Sequence, residues 1–285
     1  MLSWRVGAVT ITRVVEIELP IPYDERRPFL AEARPDALRA TPWLYPHYVT
    51  PEGHLRLSIH ALLVDAPGLR LVVDTCVGND RPRKFIGGRP LTTEFLKHLE
   101  AAGWPPESVD AVVCTHLHVD HVGWNTRREG GRWAPTFVNA RYLIGRAEYD
   151  HWSARGDEEQ QVILSDSVRP VLDAGLVDLV EMDHRLSAEV ALEPTPGHTP
   201  GHVSVAIESE GRRALITGDA MHHPCQIAHP DWSPPFDSDQ ATSRITRRRL
   251  LEALADSDVL VIGTHFAAPT AGRVTRDGDS FRFDG

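Results

Sequence analysis

Apolar and polar residues alternate along residues 6–19, the period-two signature of a half-buried strand that opens a sheet. Residues 55–64 and 69–73 predict a pair of strands turned at Ala66-Pro67-Gly68. Residues 91–102 have the spacing of an amphipathic helix, stopped by Gly103 and the pair Pro105-Pro106. A strand over 109–115 follows, then a loop over 124–135 and a strand over 136–144. Helices are predicted for 147–154 and 158–172, and short strands for 176–181, 190–192, 203–207, 214–217 and 259–263. Leu250, Leu251 and Leu254 fall at helical spacing, which puts the preceding Arg247-Arg248-Arg249 on the solvated face of a helix.

Residues 20–54 break this pattern. Pro20, Pro22, Pro28, Pro35, Pro42, Pro46 and Pro51 break helices, while Tyr23, Phe29, Trp43, Tyr45 and Tyr48 supply large rings. A long irregular excursion rich in aromatics reads as a flap over a pocket, with a purely structural arm as the alternative.

The chain has 285 residues, enough for about two domains or one large layered one, and its 41% hydrophobic content supports a sizeable core. A formal net charge of -10 argues against a nucleic-acid partner. Cys76, Cys114 and Cys225 form no C-x-x-C pair and cannot all be bridged within one chain, which suits a reducing compartment. There is no long apolar run for a membrane span and no cleavage site after an apolar core, so the expected location is the cytoplasm.

The chemistry concentrates in Thr115-His116-Leu117-His118-Val119-Asp120-His121-Val122-Gly123. Neutral imidazole and carboxylate are natural ligands of zinc-class divalent ions, and here four of them follow the apolar run Ala111-Val112-Val113-Cys114. His116 and His118 point the same way in a turning segment, with Asp120 and His121 on the next turn, so two neighbouring clusters are offered. The bland alternative is a histidine-rich surface loop. Further along, two prolines and two glycines hold His198 in the turn Thr195-Pro196-Gly197-His198-Thr199-Pro200-Gly201-His202. Asp219 and His265 each follow a short apolar strand, so a layered sheet gathers all of these at one edge. Asp74, at another strand end, either orients a ligand histidine or caps a turn. His202 and His223 read as structural.

These residues, from the His-X-His-X-Asp-His loop through His198 and Asp219 to His265, closely resemble the metallo-β-lactamase superfamily, in order over about residues 6–270. The resemblance implies an α+β fold, a four-layer αββα sandwich, formed by the chain as a single domain over 1–285. It implies two divalent metal ions, zinc first, with manganese, cobalt or iron accepted by the same donors. His116, His118 and His198 would hold one, Asp120, His121 and His265 the other, and Asp219 would bridge, since a carboxylate offers two lone-pair faces. The implied activity is hydrolysis, in which a bridging hydroxide attacks a carboxylic ester, lactone or organophosphate triester while Asp120 orients the nucleophile or passes on its proton.

Within the superfamily, Gly218-Asp219-Ala220-Met221-His222-His223, Phe236-Asp237-Ser238-Asp239 and Gly263-Thr264-His265-Phe266 look most like the methyl parathion hydrolase and lactonase branch. True β-lactamases commonly replace the bridging aspartate, and glyoxalase II carries a basic helical extension that is not evident after His265. The acyl-homoserine lactonases carry a tyrosine three residues after the bridging aspartate, where this chain has His222. His222 either donates to an oxyanion or leaving group or is a hydrogen-bonded neighbour of the centre. The partner expected is a small-molecule substrate, with no nucleic acid and no membrane, and a homodimer is plausible by resemblance. The alternatives are β-lactam or thioester hydrolysis, and a metal-dependent binding protein without catalysis.

Overall fold

The computed structural model describes residues 1–155 and 157–285. The strands, in chain order, are β1 (Ser3–Val6), β2 (Val9–Ile21), β3 (Leu55–Ala66), β4 (Leu69–Val73), β5 (Ala111–Cys114), β6 (Thr126–Glu129), β7 (Arg132–Pro135), β8 (Arg141–Gly145) and β9 (Val177–Val180). They continue with β10 (Val190–Pro194), β11 (Val203–Ser209), β12 (Arg212–Ile216), β13 (Leu260–Ile262), β14 (Ala271–Asp277) and β15 (Ser280–Asp284). Among the described residues these make a seven-stranded sheet in the order β1-β2-β3-β4-β5-β8-β9, a six-stranded sheet β10 to β15 in sequence order, and the separate hairpin β6-β7. The helices are α1 (Pro35–Arg39), α2 (Phe95–Ala101), α3 (Arg146–Ala154), α4 (Glu158–Ile163), α5 (Arg169–Asp173), α6 (Cys225–Ala228) and α7 (Gln240–Leu254).

Strand alternation explains the layering. Ala111 and Val113 of β5 face the second sheet and pack with Val205, Ile216 and Ile262, while Val112 and Cys114 face outward onto Phe95 and Leu99 of α2 and Ile163 of α4. The outer face of the second sheet, through Leu215, Val261 and Val274, is covered by Leu250, Leu251 and Leu254 of α7 and by Leu30, Leu38 and Leu44. Helices, sheet, sheet and helices therefore stack as the expected αββα sandwich. No helix is long and apolar enough to cross a membrane.

Several local expectations change. The first strand is a hairpin, turned at Gly7 between β1 and β2. The stretch 124–135 is not a plain loop but carries β6 and β7, and the strand expected at 136–144 is confined to Arg141–Gly145. The helix expected over 158–172 is interrupted by a π turn, Leu164–Val168. Pro170 lacks the N–H that would bond back to Asp166, whose carbonyl instead accepts from the Thr126 hydroxyl at 2.5 Å and so ties the hairpin to the turn. Two strands after residue 270, β14 and β15, extend the second sheet.

Arg247 departs most from expectation. It is fully buried, not solvated, because its guanidinium fits carbonyl groups brought in from elsewhere. Nε donates to Ala220 O at 2.9 Å, Nη1 to Pro230 O at 2.7 Å and Trp232 O at 2.8 Å, and Nη2 to Ser243 Oγ at 3.1 Å. Burial pushes its pKa down to about 10. Arg248 does face solvent, paired with Asp231.

In residues 20–54, Leu30, Leu38, Leu44 and Tyr48 are buried against Met221, Cys225 and Ile227. His223 fastens the segment, with Nε2 donating to Tyr48 O at 2.8 Å while its Nδ1 accepts from Cys225 N. Of the segment's aromatics, Phe29 lines the large cavity described below.

Candidate metal centre

His116 follows β5, Asp219 follows β12, His265 follows β13, and His198 sits in the turn between β10 and β11. Each lies where a strand runs out at the same end of the sandwich. Val203 N donates to Thr115 O and Ser58 N to His265 O, so the two sheets are stitched beside the ligand loops. The loop after β5 is wedged tightly at Gly123, where a Cβ would lie 1.8 Å from Val77 O. No other residue fits there.

All seven residues expected at the site converge. Donor atoms of His116, His118 and His198 lie within 4.8 Å of one another, as do those of Asp120, His121 and His265, and those of His116, His121 and Asp219. Asp219 stands between the sets. Its Oδ2 is 3.6 Å from His116 Nε2, 3.3 Å from His121 Nε2 and 3.4 Å from His198 Nε2, and its Oδ1 is 3.2 Å from His265 Nε2. A fourth group, His198, Asp219 and His222, brings an eighth donor, His222 Nε2, 3.3 Å from Asp219 Oδ2.

The outer nitrogens fix what faces inward. His265 Nδ1 donates to Ser58 O at 3.0 Å, His198 Nδ1 to Asp237 Oδ1 at 2.8 Å and His121 Nδ1 to Asp74 Oδ2 at 2.8 Å. The Thr115 hydroxyl gives its proton to Asp74 Oδ2 and so accepts from His116 Nδ1 at 3.1 Å. With Nδ1 protonated, each ring turns an Nε2 lone pair to the centre, as a metal ligand requires. Asp74, held at φ 58, therefore orients the His121 ring and also accepts from Thr115 N. Asp237 plays the same part for His198, a role that the stretch Phe236-Asp237-Ser238-Asp239 did not reveal in the sequence. The structural reading of His202 holds: its Nε2 accepts from Asp219 N at 2.8 Å and fixes the backbone of the central carboxylate.

The donors fit a divalent cation. His116 Nε2, His118 Nδ1 and His198 Nε2 stand 2.8 to 3.2 Å apart, and lone pairs at that range repel unless a cation or proton lies among them. Burial, reinforced by neighbouring imidazoles, holds His116, His118 and His198 well below the usual histidine range, so protons do not fill that role there. At His121 burial acts in the same direction but Asp219, Asp74 and Asp120 outweigh it, and the pKa is raised. His265 is raised by Asp219 and Asp120 against its burial. Asp219 Oδ1 and both ring nitrogens of His222 are buried without a hydrogen-bond partner among the described residues, the condition of groups awaiting a ligand.

The centre forms the floor of a cavity of about 660 Å³. Its walls are mainly apolar: Leu19, Ile21, Phe29, Leu57, Ile59, Ile86, Trp152, Ile163 and Phe236. His222 is caged between Phe29, 5.8 Å away and edge-on, and Phe236, 5.4 Å away. Trp124, next to the ligand loop in sequence, lies away from the cavity: it stacks on Phe95 and donates to Glu16 in the outer core.

The family model of the metallo-beta-lactamase superfamily matches residues 55–265. The chain belongs to the metallo-beta-lactamase superfamily. As a member it is a metal-dependent hydrolase, and its relatives agree. An N-acyl homoserine lactonase from Bacillus sp is 30% identical over 230 residues, covering 76% of this chain and 84% of the relative. An N-acyl homoserine lactonase AttM from Rhizobium radiobacter is 30% identical over 136 residues, 45% of this chain and 47% of that one. Among solved structures, AidC, described as a dizinc quorum-quenching lactonase in complex with a product, superposes with a TM-score of 0.80 at 20% identity, covering 99% of this chain and 96% of AidC. The hydrolase AbOPH superposes at 0.79 with 22% identity over 99% and 96%. These superpositions extend the superfamily's αββα fold over nearly the whole chain.

Proposed function

We propose that this chain is a dinuclear hydrolase of uncharged lactones and carboxylic esters that carry an apolar substituent. In this reading His116, His118 and His198 would hold one cation, Asp120, His121 and His265 the second, and Asp219, between the two sets, would serve both. Zinc is the first choice for both. The observation that carries the reading is the convergence of seven inward-facing donors, Asp219 at their middle, on the floor of an apolar cavity. Divalent cations bound there supply Lewis acidity and bring the pKa of a water near neutrality.

The chain's own residues do the rest. Apolar walls bind the substituent and exclude bulk water, which strengthens the electrostatics of the site. No lysine or arginine lines the cavity among the described residues, which disfavours anionic substrates. Asp120, about one-fifth exposed, has its carboxylate open to the cavity and is assigned the orientation of the attacking water and the acceptance of its proton. His222 is assigned donation to the developing oxyanion or leaving oxygen. Its unpartnered nitrogens support that role, as does its place three residues after Asp219. The lactonase names of the relatives favour lactones within the class.

The test is a rate panel on zinc-loaded protein with γ- and δ-lactones bearing short and long acyl groups, nitrophenyl esters, β-lactams and a neutral phosphotriester. Lactones and esters should lead, with rates that rise with apolar chain length. Leading turnover of a β-lactam or of the phosphotriester would replace the assignment. Less than one equivalent of transition metal after loading would remove it.

A further inference from the structure

We propose that Glu148 is a positioning residue for the His116, His118 and His198 donor set, acting through the Leu117 peptide, the Gly201 peptide and the Trp152 ring. The inference rests on the reading that this set holds a cation.

Glu148 lies in the first turn of α3 and is 1% exposed. Its Oε1 accepts from Leu117 N at 3.0 Å and from Trp152 Nε1 at 2.7 Å, and its Oε2 accepts from Gly201 N at 3.1 Å. Leu117 is the residue between His116 and His118, in a loop leaving the first sheet. Gly201 closes the turn that carries His198, on the second sheet. One carboxylate therefore clasps both loops that contribute to the set. The contact is as close as backbone permits: a Cβ on residue 201 would lie 2.3 Å from Glu148 N. The Leu117 peptide is held on its other side too, since Gln160 Nε2 donates to Leu117 O at 2.8 Å.

His118 shows why the clasp matters. The rings of His116, His121, His198 and His265 each have an oxygen partner on the nitrogen that faces away from the centre. Among the described residues His118 has none, and its ring rests instead against Trp152, 5.4 Å away at 58°. Trp152 is one helical turn beyond Glu148 and is bonded to it. Backbone placement by Glu148 and ring placement by Trp152 thus do for His118 what a hydrogen-bonded oxygen does for the others. All three groups that Glu148 serves are N–H donors, so only an acceptor at both oxygens satisfies them. A glutamine would set its own N–H₂ against one.

The experiment compares wild type, Glu148→Gln and Asp166→Asn, each stripped with chelator and titrated with cobalt, read as equivalents retained after gel filtration and as visible absorption. Asp166 is a buried carboxylate outside the donor sets and the cavity lining that pairs with Arg81 and Arg83, so it controls for general loss of stability. Wild type should bind two equivalents. Glu148→Gln should keep one and bind the other about 10- to 100-fold more weakly, whereas Asp166→Asn should lower the melting temperature and keep both. Gln160→Leu, which frees the other side of the Leu117 peptide, should weaken the same equivalent and reads the route even where Glu148→Gln does not fold. Two wild-type-like equivalents in both Glu148→Gln and Gln160→Leu overturn the assignment. So does an equal loss of cobalt in Asp166→Asn. A wild type that binds no cobalt overturns the dinuclear reading itself, which separates the two failures.

Discussion

Arg247→Met keeps the aliphatic stem of a fully buried side chain and deletes its guanidinium. The backbone carbonyls of Ala220 and Pro230 then lose their donors, at 2.9 and 2.7 Å in the native protein, while that of Trp232 keeps its bond from Gln226 Nε2. Each buried acceptor left unpaired costs about 1–3 kcal/mol, and loss of one side of a buried charged network typically costs about 3–5 kcal/mol in all. For a chain of this size that corresponds to a fall in melting temperature of roughly 6–10 °C. The neighbouring Arg248 is half exposed and paired only with Asp231, so Arg248→Met should cost no more than about 1 kcal/mol. Arg247→Lys should recover little, because an ammonium cannot span carbonyls that a planar fork reaches. Scanning calorimetry on the metal-free proteins reads all three without a contribution from ligand binding. A shift below about 2 °C for Arg247→Met, or equal damage from Arg248→Met, would refute the reasoning.

Three further outcomes follow from the centre. Asp219→Ala should lose at least one metal equivalent and about two or more orders of magnitude in turnover, by elemental analysis and steady-state rates, and full metal content would contradict a bridging role. Uptake at the Asp120, His121 and His265 set should strengthen as pH rises, because the raised pKa values of His121 and His265 mean protons must leave before a cation enters. The His116, His118 and His198 set, whose pKa values are depressed, should load with little pH dependence down to mildly acid solution. Calorimetric titration at several pH values separates the two steps, and parallel pH dependence would contradict the assignment. Phe29→Ala should raise KM for an ester with a long acyl group by roughly 5- to 30-fold, about 1–2 kcal/mol of lost apolar contact, with kcat nearly unchanged; a fall in kcat at constant KM would place Phe29 in the chemistry instead.

The legible parts of this chain are those encoded over a few residues. The apolar run before His116, the tight turn around His198 and the strand ends before Asp219 and His265 all speak through local pattern, and the converging donors were named from them. The hairpin β6-β7 was hidden because its strands are only four residues each: Thr126–Glu129 is all polar and Arg132–Pro135 shows no period-two alternation. Asp237, Glu148 and Arg247 were hidden for another reason. Each is defined by partners far along the chain, His198, Leu117 with Gly201, and Ala220 with Pro230, and a charged residue among such partners looks like any solvated one until the fold supplies them.

The division of the two sheets along the chain has a consequence for biosynthesis. Every strand of the first sheet precedes residue 181, and every strand of the second follows residue 189. His116, His118, Asp120 and His121 therefore emerge from a ribosome before His198, Asp219 and His265, and neither proposed cation set is complete in either half. A nascent chain can assemble neither set until strands of the second sheet dock on the first. Cation capture thus waits on the second sheet: a chain arrested before β10 would complete neither set, and one arrested before β13 would carry His116, His118 and His198 but lack His265.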